Sequence, residues 1–297
     1  MVLTLLVRDE EDVVRENIDF HLAHGIDFII ATDNGSKDRT LSFLKQYQRH
    51  GKLRLIREPA DNYAQSEWVT RMALMAAREH GADWVIHCDA DEFWIVPGGH
   101  FGKYLRTIPD EIGVLSVRRL NFPPVPEEKG PFWGHMVVRE AMSFNERGDV
   151  LPPKVCHRAS ETVCVSAGNH SVTGVGGSEA FCKEMEILHF PLRTYAQFER
   201  KIRVGAAALA RNPDVPPDIC WTWRKHYQEW QQSRLPESYS AKLLSPESRA
   251  EGLASGSLVV DPRLCRFFQA RFAGPRTGRW EWFRRWWASV RSANDSQ

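Results

Sequence analysis

No stretch of this 297-residue chain reaches the ~18 consecutive apolar residues that a bilayer-spanning helix requires, so no membrane-crossing segment is expected. Net charge is equally scarce. Lys and Arg number 39 against 38 Asp and Glu, for +1 overall, which excludes the long-range basic field of a nucleic-acid-binding protein. The six cysteines lie far apart and form no C-x-x-C pair, so a disulfide framework is not expected. Cys156, His157 and Cys164 lack the spacing of paired zinc ligands, and buried free thiols in a reduced, cytoplasmic compartment are the reading that remains. The apolar run Met1–Val7 is too short for a signal peptide's h-region with flanks and ends directly in Arg8-Asp9-Glu10-Glu11-Asp12; it reads as a first core strand. No internal repeat is evident.

What is present is an ordinary globular composition, 42% hydrophobic and 26% charged, with material for one large domain and an appendage. The first ninety residues alternate in period: strand 2–7, helix 11–24, strand 27–32, helix 36–50, strand 52–57, helix 64–79, strand 83–88. Such alternation predicts right-handed βαβ units and a parallel sheet covered by helices. Val14, Ile18, His21 and Leu22 share one helical face, as do Trp68, Met72, Met75 and Ala76, and these apolar stripes read as core. Gly25, Gly51 and Gly81 each stand just past a helix end as C-caps. After Trp94 the rhythm shifts to a strand at 112–120 and several short β-like segments, expected to complete a mixed sheet. A helix from Tyr195 to Arg211, a Trp-rich segment 221–230 and a polar linker 233–256 follow.

The strand 83–88 runs into Asp89-Ala90-Asp91-Glu92. Two unpaired carboxylates at the carboxyl end of a buried strand sit where open α/β sheets bind ligands, and they call for a hard cation, Mn²⁺ or Mg²⁺, shared with substrate phosphates. Strand 27–32 ends in Asp33-Asn34-Gly35-Ser36-x-Asp38. Here Asp33 can accept a hydrogen bond from a base N–H or a ribose hydroxyl, Asn34-Gly35 makes the turn, and Ser36 caps the next helix. Arg193 and Lys201 offer positive charge for a diphosphate; Lys154 and Arg158 are further candidates, although surface salt bridges explain those two almost as well.

In this order and spacing, Arg8-Asp9-Glu10-Glu11, Asp33-Asn34-Gly35-Ser36-x-Asp38-x-Thr40 and Asp89-Ala90-Asp91-Glu92-Phe93 resemble the family-2-type nucleotide-sugar glycosyltransferases with the GT-A fold. The bacterial branch with an Asp-Ala-Asp-Glu-Phe motif is the nearer likeness. Tyr63-x-Gln65-x-x-Trp68, Asn121-Phe122, His157-Arg158, Gly168-Asn169-His170 and Leu188-His189-Phe190-Pro191-Leu192-Arg193 extend it to about residue 205. Asp9 stands where these enzymes often carry Asn, and Asp33-Asn34 replaces a commoner Asp-Asp. The resemblance implies an α/β fold, a GT-A (Rossmann-like) mixed sheet flanked by helices with a helical C-terminal extension, divided as 1–211 and 212–297. It implies a metal held by Asp91, with Asp89 on the ribose or a metal-bound water, and His189 or His170 completing the shell. Arg8, Glu10, Asp33, Gln65 and Asp89 would contact the nucleotide. The implied reaction moves a sugar from a nucleotide-sugar donor, UDP-linked in expectation, to a polysaccharide or glycolipid acceptor. For an inverting enzyme a carboxylate must act as base. Glu92 is the first choice, an orienting role near the metal is its alternative, and Glu140, Glu161 and Glu179 stay open.

Residues 263–291 carry eight arginines against Glu281, a local +7 that leaves −6 elsewhere. On a helix, Trp280, Phe283, Trp286, Trp287 and Val290 share a face flanked by Arg284 and Arg291, the profile of an interfacial helix on anionic lipid. Packing of that face on the catalytic domain or on another subunit is the equal alternative. Arg279–Arg291 would then place a cytoplasmic protein peripherally on the inner membrane face. A nucleotidyltransferase and a catalytically silent carbohydrate-binding protein are the rival functions; the first would be expected to show a Gly-rich basic loop after strand one, where this chain is acidic.

Overall fold

Hydrophobic alternation becomes a single eight-stranded sheet in the computed structural model, which describes residues 1–62, 64–126, 130–211 and 220–273. Tyr63 and the segment Arg279–Arg291 lie outside the described residues. The first half follows the expected rhythm: β1 (Val2–Val7), α1 (Val14–Ala23), β2 (Phe28–Asp33), α2 (Thr40–Arg49), β3 (Leu53–Arg57), α3 (Gln65–His80) and β4 (Trp84–Asp89). Next come β5 (Glu92–Ile95), α4 (Phe101–Leu105), β6 (Ile112–Asn121), α5 (Phe132–His135), β7 (Val138–Glu140), β8 (Lys154–Arg158), β9 (Cys164–Val165), β10 (Val172–Thr173) and β11 (Ser178–His189). The chain closes with α6 (Tyr195–Ala210), α7 (Trp221–Gln231), α8 (Leu235–Ser240), α9 (Pro246–Ser255), β12 (Leu258–Val260) and α10 (Arg263–Ala273).

The sheet order is β3-β2-β1-β4-β8-β6-β11-β5. The first four strands are parallel, β8 is antiparallel to both neighbours, β6 and β11 again run with β4, and β5 returns antiparallel. This is the helix-flanked mixed α/β sheet expected of the GT-A fold. One consequence positions the site: β1, β2, β4, β6 and β11 all end on the same edge, while β8 and β5 begin there.

The expected core stripes are buried except at Leu22 and Met75, which are half-buried at the edge of the core. Val14, Ile18 and His21 of α1 and Trp68, Met72 and Ala76 of α3 are each 5% exposed or less, and Gly25, Gly51 and Gly81 all take positive φ. Two expectations are corrected. Ser36 does not cap α2, which begins at Thr40: the Ser36 hydroxyl accepts the Asp9 N–H at 3.0 Å, Asp9 Oδ1 accepts the Lys37 N–H at 2.6 Å, and Asp38 Oδ1 takes the Thr40 N–H at 2.9 Å. Loop-to-loop bonding between residues 9–11 and 36–40 thus replaces the first helical turn. The polar stretch 233–256 is not a bare linker. Leu235 and Tyr239 of α8 bury against Phe198 and Ile202 of α6, and α9 opens on a Ser245 cap with Pro246 in its first turn, where a missing N–H costs nothing. Strand β12 then pairs with β7, and α10 stacks Phe268 on Trp133.

Two histidines meet inside the sheet. His157 Nδ1–H donates to the Arg158 carbonyl at 2.7 Å, which leaves its Nε2 to accept from His87 Nε2–H at 3.0 Å, while His87 Nδ1 accepts from the Thr4 hydroxyl at 2.8 Å. Two protonated rings would set N–H against N–H and break this chain, whereas two neutral rings complete it with no buried charge. Burial, reinforced for His87 by the neighbouring His157 and Lys154, holds both below the ordinary histidine range. Their contribution is therefore present above the unfolded pKa near 6.5 and is lost as pH falls below it, by at most about 1.4 kcal/mol per pH unit per group. Glu10, Glu16 and Glu92, raised to about 7 by burial, act with the opposite sign. The diagnostic is thus a difference: urea midpoints of His157→Gln should fall less steeply between pH 6.5 and 5 than those of wild type, and parallel slopes would contradict the neutral-pair assignment.

A candidate active site at the carboxyl edge of the sheet

Because the parallel strands end together, the chain delivers Arg8, Asp33, Asp89, Asn121 and His189 to one edge, with Lys154 and Glu92 entering from the strands that start there. A cavity of about 910 Å³ opens over this edge, at the top of the range for small-ligand pockets. Arg8, Glu10, Gln65, Asp89, Asp91, His170, His189 and Lys201 all line it.

The turn between β4 and β5 is fixed from below. Asn17 of α1 is fully buried, and its amide reaches the carbonyls of Ala90 at 3.0 Å and Glu92 at 2.7 Å, while His21 Nε2 accepts the Trp94 N–H at 3.2 Å. The two acids of the turn are not unpaired, contrary to the premise drawn from the sequence. Lys154 Nζ donates to Asp89 Oδ2 at 2.6 Å and lies 3.2 Å from Glu92 Oε1; Lys201 Nζ donates to Asp91 Oδ2 at 2.9 Å. Burial alone would raise the Asp91 carboxyl, but Lys201, His189 and Arg193 together hold it well below the usual range. Lys201 in turn is pushed up to about 12, because Asp91 and Glu10 outweigh its burial.

His189 stands opposite Asp91, its Nε2 3.7 Å from Asp91 Oδ1. Its Nδ1–H donates to Asn121 Oδ1 at 2.7 Å, which leaves the Nε2 lone pair directed away from that bond, and burial keeps the ring neutral by lowering its pKa to about 3. His170 also lines the cavity, with Nδ1 on the Pro153 carbonyl at 2.8 Å and a pKa brought down to about 4 by burial and Lys154.

At the other wall Arg8 donates to Asp61 at 2.6 Å and to Asn34 at 3.3 Å, and Gln65 Oε1 accepts the Gly168 N–H at 3.1 Å. Glu10 is raised to about 7 by burial, against the pull of Arg193 and Lys201.

Five expected site residues do not line the cavity, and each for a physical reason. Arg158 ends β8 at the opposite edge, where it donates to the carbonyls of Ile112, Ile108 and Pro109 and covers the Trp84 ring. Arg193, 3% exposed, spends its guanidinium on Asp12, Glu10 and the Phe190 carbonyl. Lys154 is buried beneath Asp89. Glu92, expected as the base, is 0% exposed and serves Lys154, so it cannot reach an acceptor. Asp33 is 2% exposed beneath the Asn34–Ser36 turn; Asn34 lines the cavity in its place.

Sequence reasoning passed over Asn17 and Arg119, and it quoted Asn121 and Asn169 only as motif residues without a role. Asn17 reads as an unremarkable polar helix position. Arg119 lines the cavity and holds the Pro152 carbonyl; Asn121 orients His189; Asn169, at φ 58°, donates to Asp89 Oδ1 at 3.3 Å. Asn169, beside Gly168 in a tight turn, also carried a conformational signal. Among the described residues no group of three or more His, Cys, Asp or Glu is arranged to hold a metal by itself, and no helix is long and apolar enough to cross a membrane. All six cysteines are free thiols.

The model of glycosyltransferase family 92 matches residues 4–231. No curated protein matches the chain. Among solved structures it is similar to S. aureus TarS 1-349 in complex with UDP, at 13% identity and TM-score 0.42 over 93% of this chain and 92% of that one. The same protein in complex with UDP-GlcNAc gives 15% and 0.42 over 78% and 72%. Glucosyl-3-phosphoglycerate synthase from Mycobacterium tuberculosis, in complex with Mn²⁺, UDP-glucose and phosphoglyceric acid, gives 19% and 0.28 over 40% and 43%.

Proposed function

As this chain belongs to glycosyltransferase family 92, we propose that it moves a sugar from a nucleoside diphosphate donor, UDP-linked, to a hydroxyl of a polysaccharide or glycolipid acceptor. The observation that carries the reading is the convergence of Asp89, Asp91, His189 and Lys201 on one cavity at the carboxyl edge of the sheet. Arg8, Gln65 and Asn34 suit the nucleoside end, and Lys201 the diphosphate.

A divalent ion fits part of this geometry. Asp91 Oδ1 and the Nε2 of a neutral His189 are an oxygen–nitrogen pair close enough to share one Mn²⁺ or Mg²⁺, whose other ligands would come from the donor diphosphate and water. When bound, the ion would supply positive charge opposite the departing diphosphate. Asn121 fixes the His189 tautomer, and Asn17 holds the turn that aims Asp91. The ion pairs favour a second reading, in which Lys201 alone meets the diphosphate and no metal is needed. Release of UDP from a panel of UDP-sugars in Mn²⁺ or in EDTA separates the two, and silence in both conditions with no UDP binding would reject the proposal altogether.

The acceptor oxygen bonds to the anomeric carbon as the bond from that carbon to the phosphate oxygen breaks, and the acceptor proton needs a base. Of the carboxylates lining the cavity, Glu10, Asp89, Asp91 and Glu146 face cations and Asp9 takes the Lys37 N–H. Glu140 forms no ion pair among the described residues, sits beside Ser143 and Asn121, and is raised by burial, which suits proton uptake. Glu140→Gln should lower kcat by about 10²- to 10⁴-fold and leave UDP affinity unchanged; a normal kcat in that variant would return the base to another group.

A further inference from the structure

The cavity extends past Glu140 to a second wall built from the hairpin 143–151 and the start of α7, and nothing in the donor reading uses that wall. We propose that it is an acceptor subsite for a pyranose ring of a glycan, a refinement that rests on the transferase reading above. Three aromatic side chains line it: Phe144, which is 48% exposed, Trp221 and Trp223. Arg147 covers one face of the Trp221 indole at 4.1 Å.

Two features show that the wall is held in place. Gly205 lies in the middle of α6, where glycine costs a helix about 1 kcal/mol relative to alanine. A Cβ there would fall 2.2 Å from a ring carbon of Trp223, so the glycine is what admits the indole against the helix. Glu146 of the hairpin accepts from Lys225 at 2.8 Å, from His226 at 2.9 Å and from Lys242, while His226 also bonds Glu229 at 2.7 Å. This cluster ties hairpin, α7 and the loop after α8 together, and His226 within it is 5% exposed. Its cations hold Glu146 down to about 2 against the effect of burial.

Rigid aromatic faces beside Glu146, Asn145 and Lys242 match a pyranose, whose axial C–H groups make one apolar face while its equatorial hydroxyls seek donors and acceptors at the rim. An alkyl chain would ask for an aliphatic lining instead. Aliphatic groups do line the cavity nearby, Leu151 of the hairpin and Ile202 and Val204 of α6 among them, so the measurement must separate a sugar ring from an alkyl chain.

The test uses the full chain and two probes measured separately: UDP by calorimetry, and methyl glycosides and disaccharides of glucose, galactose and N-acetylglucosamine by saturation-transfer NMR with UDP present. At least one saccharide should bind wild type, and Trp221→Phe should retain it. Phe144→Ala and Trp221→Ala should each weaken it by about tenfold, the effect of losing one well-placed aromatic contact, with UDP affinity unchanged. Phe144 is half exposed, so that variant reports even where Trp221→Ala does not fold. If UDP binds but no saccharide does, if both alanine variants bind sugar normally, or if octyl glucoside binds where methyl glucoside does not, the subsite proposal is overturned. Failure of wild type to bind UDP would instead strike the donor reading.

Discussion

Replacing Asp91 by asparagine is expected to lower kcat/KM for sugar transfer by about 10³-fold, at the upper end of what one preorganised electrostatic group contributes, with little change in thermal midpoint. The side chain is 3% exposed, and its two oxygens face Lys201 at 2.9 Å and His189 at 3.7 Å. Asparagine keeps the volume and an acceptor but removes the charge that balances Lys201 and Arg193. The site then loses its anionic centre, and with it any hold on a divalent ion, while Lys201, whose side chain is 29% exposed, can turn to solvent. A variant within tenfold of wild type would remove Asp91 from the reaction.

The largest effect on stability should come from Lys154. Its side chain is 1% exposed, and it stays protonated although burial opposes it, because Asp89 and Glu92 lie on either side. Lys154→Met leaves Glu92, 0% exposed, with Arg119 at 3.7 Å as its remaining cation. Breaking a buried pair from one side costs about 3–5 kcal/mol. The expected result is a loss of up to that size in urea unfolding at pH 9, since burial raises Glu92 only to about 7 in the wild type; the loss should shrink as pH falls and Glu92 takes up a proton. Adding Glu92→Gln should recover part of it because the uncompensated charge goes with it. A single variant as stable as wild type, or a double variant that recovers nothing, would contradict the ion-pair account.

The first half of the fold was legible because its signals are local: strand and helix periods alternate within thirty residues, and Gly25, Gly51 and Gly81 mark helix ends. Asp89 and Asp91 were legible as strand-end residues once a sheet was expected, whereas His189 entered only through the resemblance, beside His170. Lys154 shows why the rest was not. Strand β8 inserts between β4 and β6, so the contact from Lys154 to Asp89 spans 65 positions and depends on a topology that periodicity does not encode. Arg158, four residues along the same strand, looked equivalent and lies at the far edge. Arg193 was read as a phosphate ligand because its charge is visible in the sequence and its partners, Glu10 and Asp12, are 183 and 181 positions away. The cap at Ser245-Pro246 was written in the sequence but was outweighed by the polar composition around it. The resemblance reached the glycosyltransferase class through family-2-type motifs, while the family model that matches is family 92.

The central claim is that this cavity holds a nucleoside diphosphate against the Asp91–Lys201 face. Calorimetric titration of UDP into wild type, Asp91→Asn and Lys201→Ala, each in Mn²⁺ and in EDTA, tests it most directly. Saturable binding to wild type that Lys201→Ala weakens by tenfold or more is the result the account predicts, the conversion being about 1.4 kcal/mol. Sensitivity of that binding to EDTA and to Asp91→Asn would place the ion beside His189. An absence of UDP binding in either buffer, or affinity untouched by both substitutions, would contradict it.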